Sequence, residues 1–539
     1  MVYFKYFFFK NLNKEESEVF DQLNKKIGTV IAYINEPNVN QFRFVLTEEN
    51  NKNKKIPIRK GQFIELSTDD GKIIAMVMEI YKTNRYFSRA ESVREYEKTY
   101  GIQSIFPTEK WEHIIAIAKP LCKFNEFINE KDNSNKSTNF KLDRVSFPPS
   151  PGDYVYLASD DILNFLLGLK KTDGLNLGKI RYHENIDAKL DLTRFIQKHI
   201  AILAMSGAGK SYTTSVLIEE LLNRDPSFGR IGVVIIDVHG EYASLCEKPN
   251  KNTGYKDFSE LVKVIKSPYM TINTSYISGY QFGDYQPNMS PAQIRELNRI
   301  ISEYRRKNPN MSYSLRDLID YITADDQMNQ RSKEAMLGWL DSLDYLHIFS
   351  DEENPKIEES VRPGRALIFD LSETISIKHK QILVAYFAER LFNLRKEKRI
   401  CPFILIIEEA HQFCPEGKSI SKRIIETYAR EGRKFGASLC LISQRPVKLS
   451  TTALSQCGTH IIMRITNPSD LDHIKKSSEQ ITSETLGLIS NLPIGEALIV
   501  GNAVNFPIFV KVREKCSNTG ERFLKLEEEA KIWEKKYSK

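Results

Sequence analysis

The chain has 539 residues, 41% of them hydrophobic, with 77 Lys and Arg against 70 Asp and Glu and a net charge of +7. That length exceeds one ordinary domain and predicts two or three, each with a packed core. The near balance of charge permits a polyanionic partner without requiring one, and no stretch approaches the roughly 18 apolar residues of a membrane span.

The chain opens on MVYFKYFFFKN, short apolar runs broken by Lys5 and Lys10 with no small-residue cleavage site. Residues 1–26 are expected as an N-terminal extension and not as a signal peptide. Residues 27–160 read as a small antiparallel β-barrel. IGTVIAY, QFRFVL, GQFIEL and KIIAMVMEI are short apolar or alternating runs, separated by the turn-type clusters NEPNVN, TEENNKNKK and STDDG. The polar, low-complexity stretch NEFINEKDNSNKSTNF (125–140) is expected as a loop of that domain, and PPSPGDYVYLA as a returning strand.

Residues 161–512 form the larger expected domain, and from about residue 199 the pattern changes. HIAILA, GVVIID, RALIFDL, FILIIEE, SLCLISQ and THIIMRI are continuous apolar runs separated by helical segments. Such runs predict an α/β fold with a parallel sheet covered on both faces. Residues of about 285–350 interrupt it with SPAQIRELNRIISEYRR, SLRDLIDYITADDQ and RSKEAMLGWLDSLDYLHIF, a helical insertion. Residues 513–539 are expected to hold one amphipathic helix, ERFLKLEEEAKIWEKKY, with Phe523, Leu526, Ala530 and Trp533 on a face. The seven cysteines, Cys122, Cys246, Cys401, Cys414, Cys440, Cys457 and Cys516, form no CxxC pair. Reduced thiols in a cytoplasmic protein are expected.

The first strand–helix junction of this region is AMSGAGKS (204–211), the G-x-x-x-x-G-K-[ST] pattern with Ala204 at its first position. Gly207 and Gly209 let backbone N–H groups turn inward around phosphates, and the following helix presents its positive end. Lys210 then reaches the β/γ-phosphates and Ser211 ligates Mg²⁺. Ser206, Gly207, Ala208, Gly209, Lys210, Ser211 and Tyr212 are the expected nucleotide contacts.

FILIIEEAHQFCP (403–415) sets two carboxylates, an imidazole and a thiol within seven positions. Metal ligands, an acid/base pair and the water end of a nucleotide site all fit that set. A zinc site needs three or four such ligands, and no other His/Cys cluster converges on this one. With the phosphate loop upstream, Glu408 is expected to bind Mg²⁺ and Glu409 to act as the base. His411 reads as a hydrogen-bonding residue at a strand-to-helix turn, Cys414 as packing. Gln444, ending SLCLISQ, is placed to sense the γ-phosphate. In YAREGRKFG, Arg430, Arg433 and Lys434 are either a solvated helix face or the source of an arginine offered to a neighbouring subunit's ATP. IIDVHGEY ends a third strand with Asp237, His239 and Glu241, weak evidence when taken alone.

Taken in order, HIAILAMSGAGKS, IIDVHGEY, IIEEAHQF, AREGRKFGASLCLISQRP, LSQCGTHIIMRITNPSD and LPIGEALIVGNAVNFPIFVKV resemble the HerA branch of the HerA/FtsK superfamily of DNA-pumping ATPases. The likeness covers roughly residues 195–512, and the β section resembles that family's HAS-barrel. It implies a RecA-like P-loop core and a homo-hexameric ring threading double-stranded DNA, with ATP and Mg²⁺ as cofactors. It also implies a NurA-type nuclease partner, or another effector nuclease, in DNA end resection for double-strand break repair. By motif position Lys210 and Ser211 serve the phosphate loop, Glu409 is the base, Gln444 the sensor and Arg433 the finger supplied in trans, with Arg430 second. The resemblance also places Lys198, Lys511 and Val512 near the nucleotide. Two other readings stand beside it: an ATP-dependent ring scaffold for a nuclease or anti-phage effector, and a conjugation- or secretion-type ATPase. The presence of Glu409, Gln444 and Arg433 together favours a motor.

Overall fold

Two sheets organise the chain, each grown from a different residue pattern. A computed structural model describes residues 26–32, 36–47, 58–84, 87, 94, 112–128 and 138–537, less 250–253, 310, 326–327, 478–480 and 519–525. The N-terminal extension up to residue 25 and residues 129–137 of the polar stretch lie outside the described residues. The chain divides into one unit of Met1–Gly168 with Ile180–Ile186 and a second of Leu169–Lys179 with Asp187–Lys539.

The first unit holds β1 (Lys26–Ile31), β2 (Phe42–Leu46), β3 (Phe63–Thr68), β4 (Gly71–Asn84), β5 (Glu112–Ile128), β6 (Thr138–Asp143) and β7 (Tyr154–Leu157). They lie in the order β2-β1-β7-β3-β4-β5-β6, and β2 also pairs with β5. That extra pairing, Phe42 against Ala118 through Val45 against Ile115, closes a six-stranded barrel with β6 left on the outside of β5. Alternation explains it. In β2, Phe42, Phe44 and Leu46 turn inward while Arg43 and Val45 are only half-buried. Closure leaves the barrel strands no free edge.

The second unit centres on an eleven-stranded sheet, β12-β15-β11-β16-β17-β10-β18-β19-β20-β8-β9, of which residues Ile180–Ile186 at the β8–β9 turn are counted with the first unit. Its strands are β8 (Leu175–Ile180), β9 (His183–Leu190), β10 (Ile200–Leu203), β11 (Gly232–Asp237), β12 (Val262–Lys266), β15 (Ala366–Asp370), β16 (Phe403–Ile407), β17 (Ala437–Ser443), β18 (Thr459–Ile462), β19 (Glu496–Gly501) and β20 (Ile508–Val512). The run from β12 to β18 is parallel throughout. Every residue of β10, β11, β15, β16, β17 and β18 is buried, as strands covered on both faces require. The expected α/β core and barrel are both present.

Helix α1 (Lys210–Asn223) follows β10. Between the two-residue strands β13 (Ile272–Asn273) and β14 (Phe349–Ser350) stand α2 (Gly279–Tyr285), α3 (Pro291–Lys307), α4 (Leu315–Thr323) and α5 (Gln330–Asp344). Ser278, Ser290 and Ser314 each start one of the first three with a reciprocal capping box. Just after β14 the chain is fastened to α6 (Ile377–Lys396), where the Tyr386 hydroxyl and Arg390 Nε both donate to Glu353 Oε1, at 2.8 and 3.0 Å. Helix α7 (Lys422–Phe435) leads into β17. The last helix, α8, spans Leu526–Tyr537 with no buried residue; Phe523 lies outside the described residues, and residues 513–517 are not helical. Among the described residues no helix is long and apolar enough to cross a membrane.

Candidate functional site

The site forms where β10, β11, β15, β16 and β17 end on the same edge, the carboxyl edge of the parallel sheet, where open α/β sheets bind ligands. Leaving β10, the chain turns through Gly207 at φ +76° and Gly209 at φ +102° before α1 begins at Lys210. L-residues pay for such angles and glycine does not. A Cβ on Gly207 would meet nothing within 4 Å, so the loop opens outward at that point. Ala204 is tolerated at the motif's first position for a visible reason. Among the described residues five non-glycines take positive φ (Tyr182, His199, His347, Lys398 and Glu409), and Ala204 is not one of them. Its N–H donates to the carbonyl of Ser443 at 3.3 Å, which ties the loop to β17.

Glu408 and Glu409 leave β16 in different states. Glu408 is fully buried; its Oε2 accepts the Val238 N–H at 3.2 Å, and Oε1 has no hydrogen-bond partner. Burial, with Asp237 and Glu241 close by, pushes its carboxyl up to about 9. Glu409 takes φ +47°, a left-handed position that costs a non-glycine residue about 1–2 kcal/mol. That turn carries its buried carboxylate to the phosphate loop, where Oε1 pairs with Lys210 Nζ. Oε2 lies 3.3 Å from His411 Nδ1, off the line of a hydrogen bond. The buried Glu408 Oε1, without a donor and beside an open glycine loop, fits a cation with a phosphate ester, which Glu408 and the Ser211 hydroxyl at the start of α1 would hold. Cys414 is fully buried, its thiol pushed up to about 12 by burial, and serves packing.

Asp237 is a structural residue of this edge. Its Oδ1 accepts the N–H groups of Gly240, Glu241 and His239 at 2.7, 3.1 and 3.3 Å, and its Oδ2 accepts that of Tyr242 at 2.9 Å. Its acceptor sites are therefore spent on shaping the HGEY turn, which leaves the His239 and Glu241 side chains exposed. Two residues that sequence reasoning missed complete the acidic edge. Asp370 ends β15 directly opposite Asp237, and Lys380 on α6 reaches the Val238 carbonyl at 3.4 Å. A strand ending in an acid, RALIFD, was the available signal for the first.

Lys511 and Val512 end β20 close to the loop, since Val512 N donates to Gly495 O (2.9 Å) and Gly495 N to Ala208 O (3.4 Å). Gln444 follows β17, half-buried. Lys198 is not brought to the loop. It precedes β10, roughly 17 Å of extended chain from Leu203 at that strand's far end, and its Nζ donates to Asn502 Oδ1 at 3.1 Å. Arg433 stands at that same amino edge, exposed at the end of α7, where Gly432 packs against His199. Arg430, one turn earlier, is 3.6 Å from Glu426.

A clamp unseen in the sequence fastens the chain after β20 to α1. Arg513 Nη1 and Nη2 donate to Glu219 and Glu220, each at 2.8 Å, and Glu219, with its side chain wholly buried, also accepts the N–H groups of Cys516 and Ser517. Arg513→Ala takes the cation from that buried carboxylate and leaves it amide donors, so a loss of about 1.5–3 kcal/mol is expected in urea unfolding. A loss below about 1 kcal/mol would show the pair to be dispensable.

These elements define a P-loop ATPase: a phosphate loop at the end of one parallel strand and paired acids at the end of another. A family model described as "Helicase HerA, central domain" matches residues 175–391. A probable helicase of Methanocaldococcus jannaschii is 28% identical over 94% of this chain and 94% of its own length. The DNA double-strand break repair helicase HerA of Pyrococcus furiosus is 26% identical, covering 84% of this chain and 87% of its own. Among solved structures, VirB4 of Thermoanaerobacter pseudethanolicus aligns with a TM-score of 0.48 at 17% identity, over 64% of this chain and 97% of that one. Over most of its length the chain is similar to proteins of the HerA family.

Proposed function

We propose that this chain is an ATP-driven translocase of double-stranded DNA. It works in the cytoplasm as a homo-hexameric ring with a nuclease partner of the NurA type, in end resection for double-strand break repair. The observation that carries the reading is Glu409, held in a left-handed turn with its carboxylate against Lys210. A protein that only holds ATP needs the loop; it does not need a strained, buried carboxylate beside it. The relatives named as repair helicases support the DNA substrate.

In this mechanism Lys210 and the loop amides hold the β- and γ-phosphates. Glu409 accepts the proton of the attacking water, giving ADP and phosphate. Gln444, beside the loop at the end of β17, reports loss of the γ-phosphate to the rest of the core. Arg433 lies on the far edge of the sheet from its own Lys210, so it serves the site of a neighbouring subunit. Glu408 and Ser211 would hold Mg²⁺, which would supply positive charge against the charge developing on the phosphates. Lysines and arginines facing the channel grip phosphates without reading sequence.

The test is ATP turnover with and without linear duplex DNA over a salt series. Turnover is expected to rise about ten-fold with duplex. Half-saturation should weaken steeply with salt and be indifferent to sequence. Turnover that ignores DNA would favour the scaffold reading, in which ATP only holds a ring together.

A further inference from the structure

Ser443, the last residue of β17, is fully buried and joins three parts of the site. Its carbonyl accepts the Ala204 N–H of the phosphate loop. Its Oγ lies 3.2 Å from His411 Nδ1 and accepts the Arg445 N–H at 3.0 Å. His411 Nδ1 is also 3.3 Å from Glu409 Oε2, the oxygen that Lys210 does not hold. With its proton on Nδ1, that nitrogen faces two oxygens at nearly equal range, and a single N–H serves one of them at a time. The contact to Ser443 Oγ has hydrogen-bond geometry, and Glu409 Oε2 is unpartnered. Burial lowers the imidazole's pKa, which favours this neutral, single-proton form.

The other side of Ser443 leads to the loop Arg445–Lys448. Arg445, Val447 and Lys448 are exposed there. The loop is nonetheless fixed: Val447 N donates to Asp470 Oδ1 and Glu416 N to Lys448 O, each at 3.0 Å. Two exposed cations on a short braced loop suit phosphate contact. A displacement of Arg445 would reach Ser443 Oγ through the one hydrogen bond they share.

We propose that His411 and Ser443 are positioning residues that link the Glu409 carboxylate to the loop Arg445–Lys448, with duplex DNA as the ligand felt at that loop. Ser443 holds the His411 N–H away from Glu409 and so leaves Oε2 free to take the proton of water. Without that hold, His411 turns to Glu409 and both carboxylate oxygens are engaged. This rests on the reading of the chain as a DNA-driven ATPase with Glu409 as its base.

The experiment measures steady-state ATP turnover, with and without linear duplex, for wild type, Ser443→Ala, His411→Ala and the double variant. S443A is expected to cut the ratio of duplex-stimulated to DNA-free turnover by about five-fold. Its KM for ATP should stay within about two-fold, because the carbonyl that holds Ala204 remains. Adding His411→Ala should then restore turnover to a level that no longer responds to duplex, since nothing is left to close on Glu409. A double variant as slow as S443A, or an S443A ratio equal to wild type, overturns the link. Glu409→Gln run alongside separates the two readings: if it keeps turning over ATP, the assignment of the base is wrong, whatever the ratios show.

Discussion

Glu409→Gln is expected to lower ATP turnover by about 10²–10⁴-fold, the range that a positioned general base contributes, while nucleotide affinity is kept or improved. The substitution conserves shape, so the turn at φ +47° and the packing of a buried side chain survive. What is lost is an acceptor for the water proton and the negative charge that pairs with Lys210. Freed of that pair, Lys210 is more available to a γ-phosphate, which gives the direction of the affinity change. Turnover and binding of a fluorescent ATP analogue are read on the same preparation. Glu408→Gln makes the contrast: its deficit should fall as Mg²⁺ is raised, because its carboxylate is proposed to hold the cation and not the water. Glu409→Gln turnover within about ten-fold of wild type would remove Glu409 from the chemistry.

What could be read from sequence, and what could not, divides by how far the interacting residues lie apart along the chain. The phosphate loop was legible because Gly207, Gly209 and Lys210 act through their own backbone angles and immediate neighbours. The parallel sheet was legible from strands such as FILII, apolar at every position, since burial on both faces leaves no alternation. Barrel strands could be listed from alternation. Their closure could not, for it depends on β2 meeting β5 more than seventy residues later, Phe42 against Ala118. The site splits in the same way. Asp237 was weak evidence taken alone, and its oxygens are occupied by the amides of residues 239–242. Ser443, an unremarked residue before Gln444, became visible only when its contacts to His411, Ala204 and Arg445 were assembled. Glu219 and Arg513 were beyond reach because an ion pair 294 residues apart leaves no local trace.

The arginine carries the other large effect. Arg433→Ala is expected to lower turnover by about 10³-fold or more, the contribution of an arginine finger in P-loop enzymes. Arg430→Ala should cost less than about ten-fold, since its nearest charged partner is Glu426 on its own helix. The distinctive consequence concerns mixtures. Arg433 sits at the amino edge of its sheet and Lys210 at the carboxyl edge, so a complete site in the proposed ring takes Lys210 from one subunit and Arg433 from the next. A ring made only of Arg433→Ala subunits has no complete site, nor has one made only of Lys210→Ala. In rings assembled at random from equal parts of both, about one interface in four pairs an intact Lys210 with an intact Arg433. Mixing two inactive preparations should therefore recover up to about a quarter of wild-type turnover, with the maximum at equal proportions. Mixed rings confirmed by co-purification of two tags, yet as inactive as their parents at every proportion, would place the finger within its own subunit or on another residue. The far-edge position of Arg433 would then mark an ordinary solvated helix end.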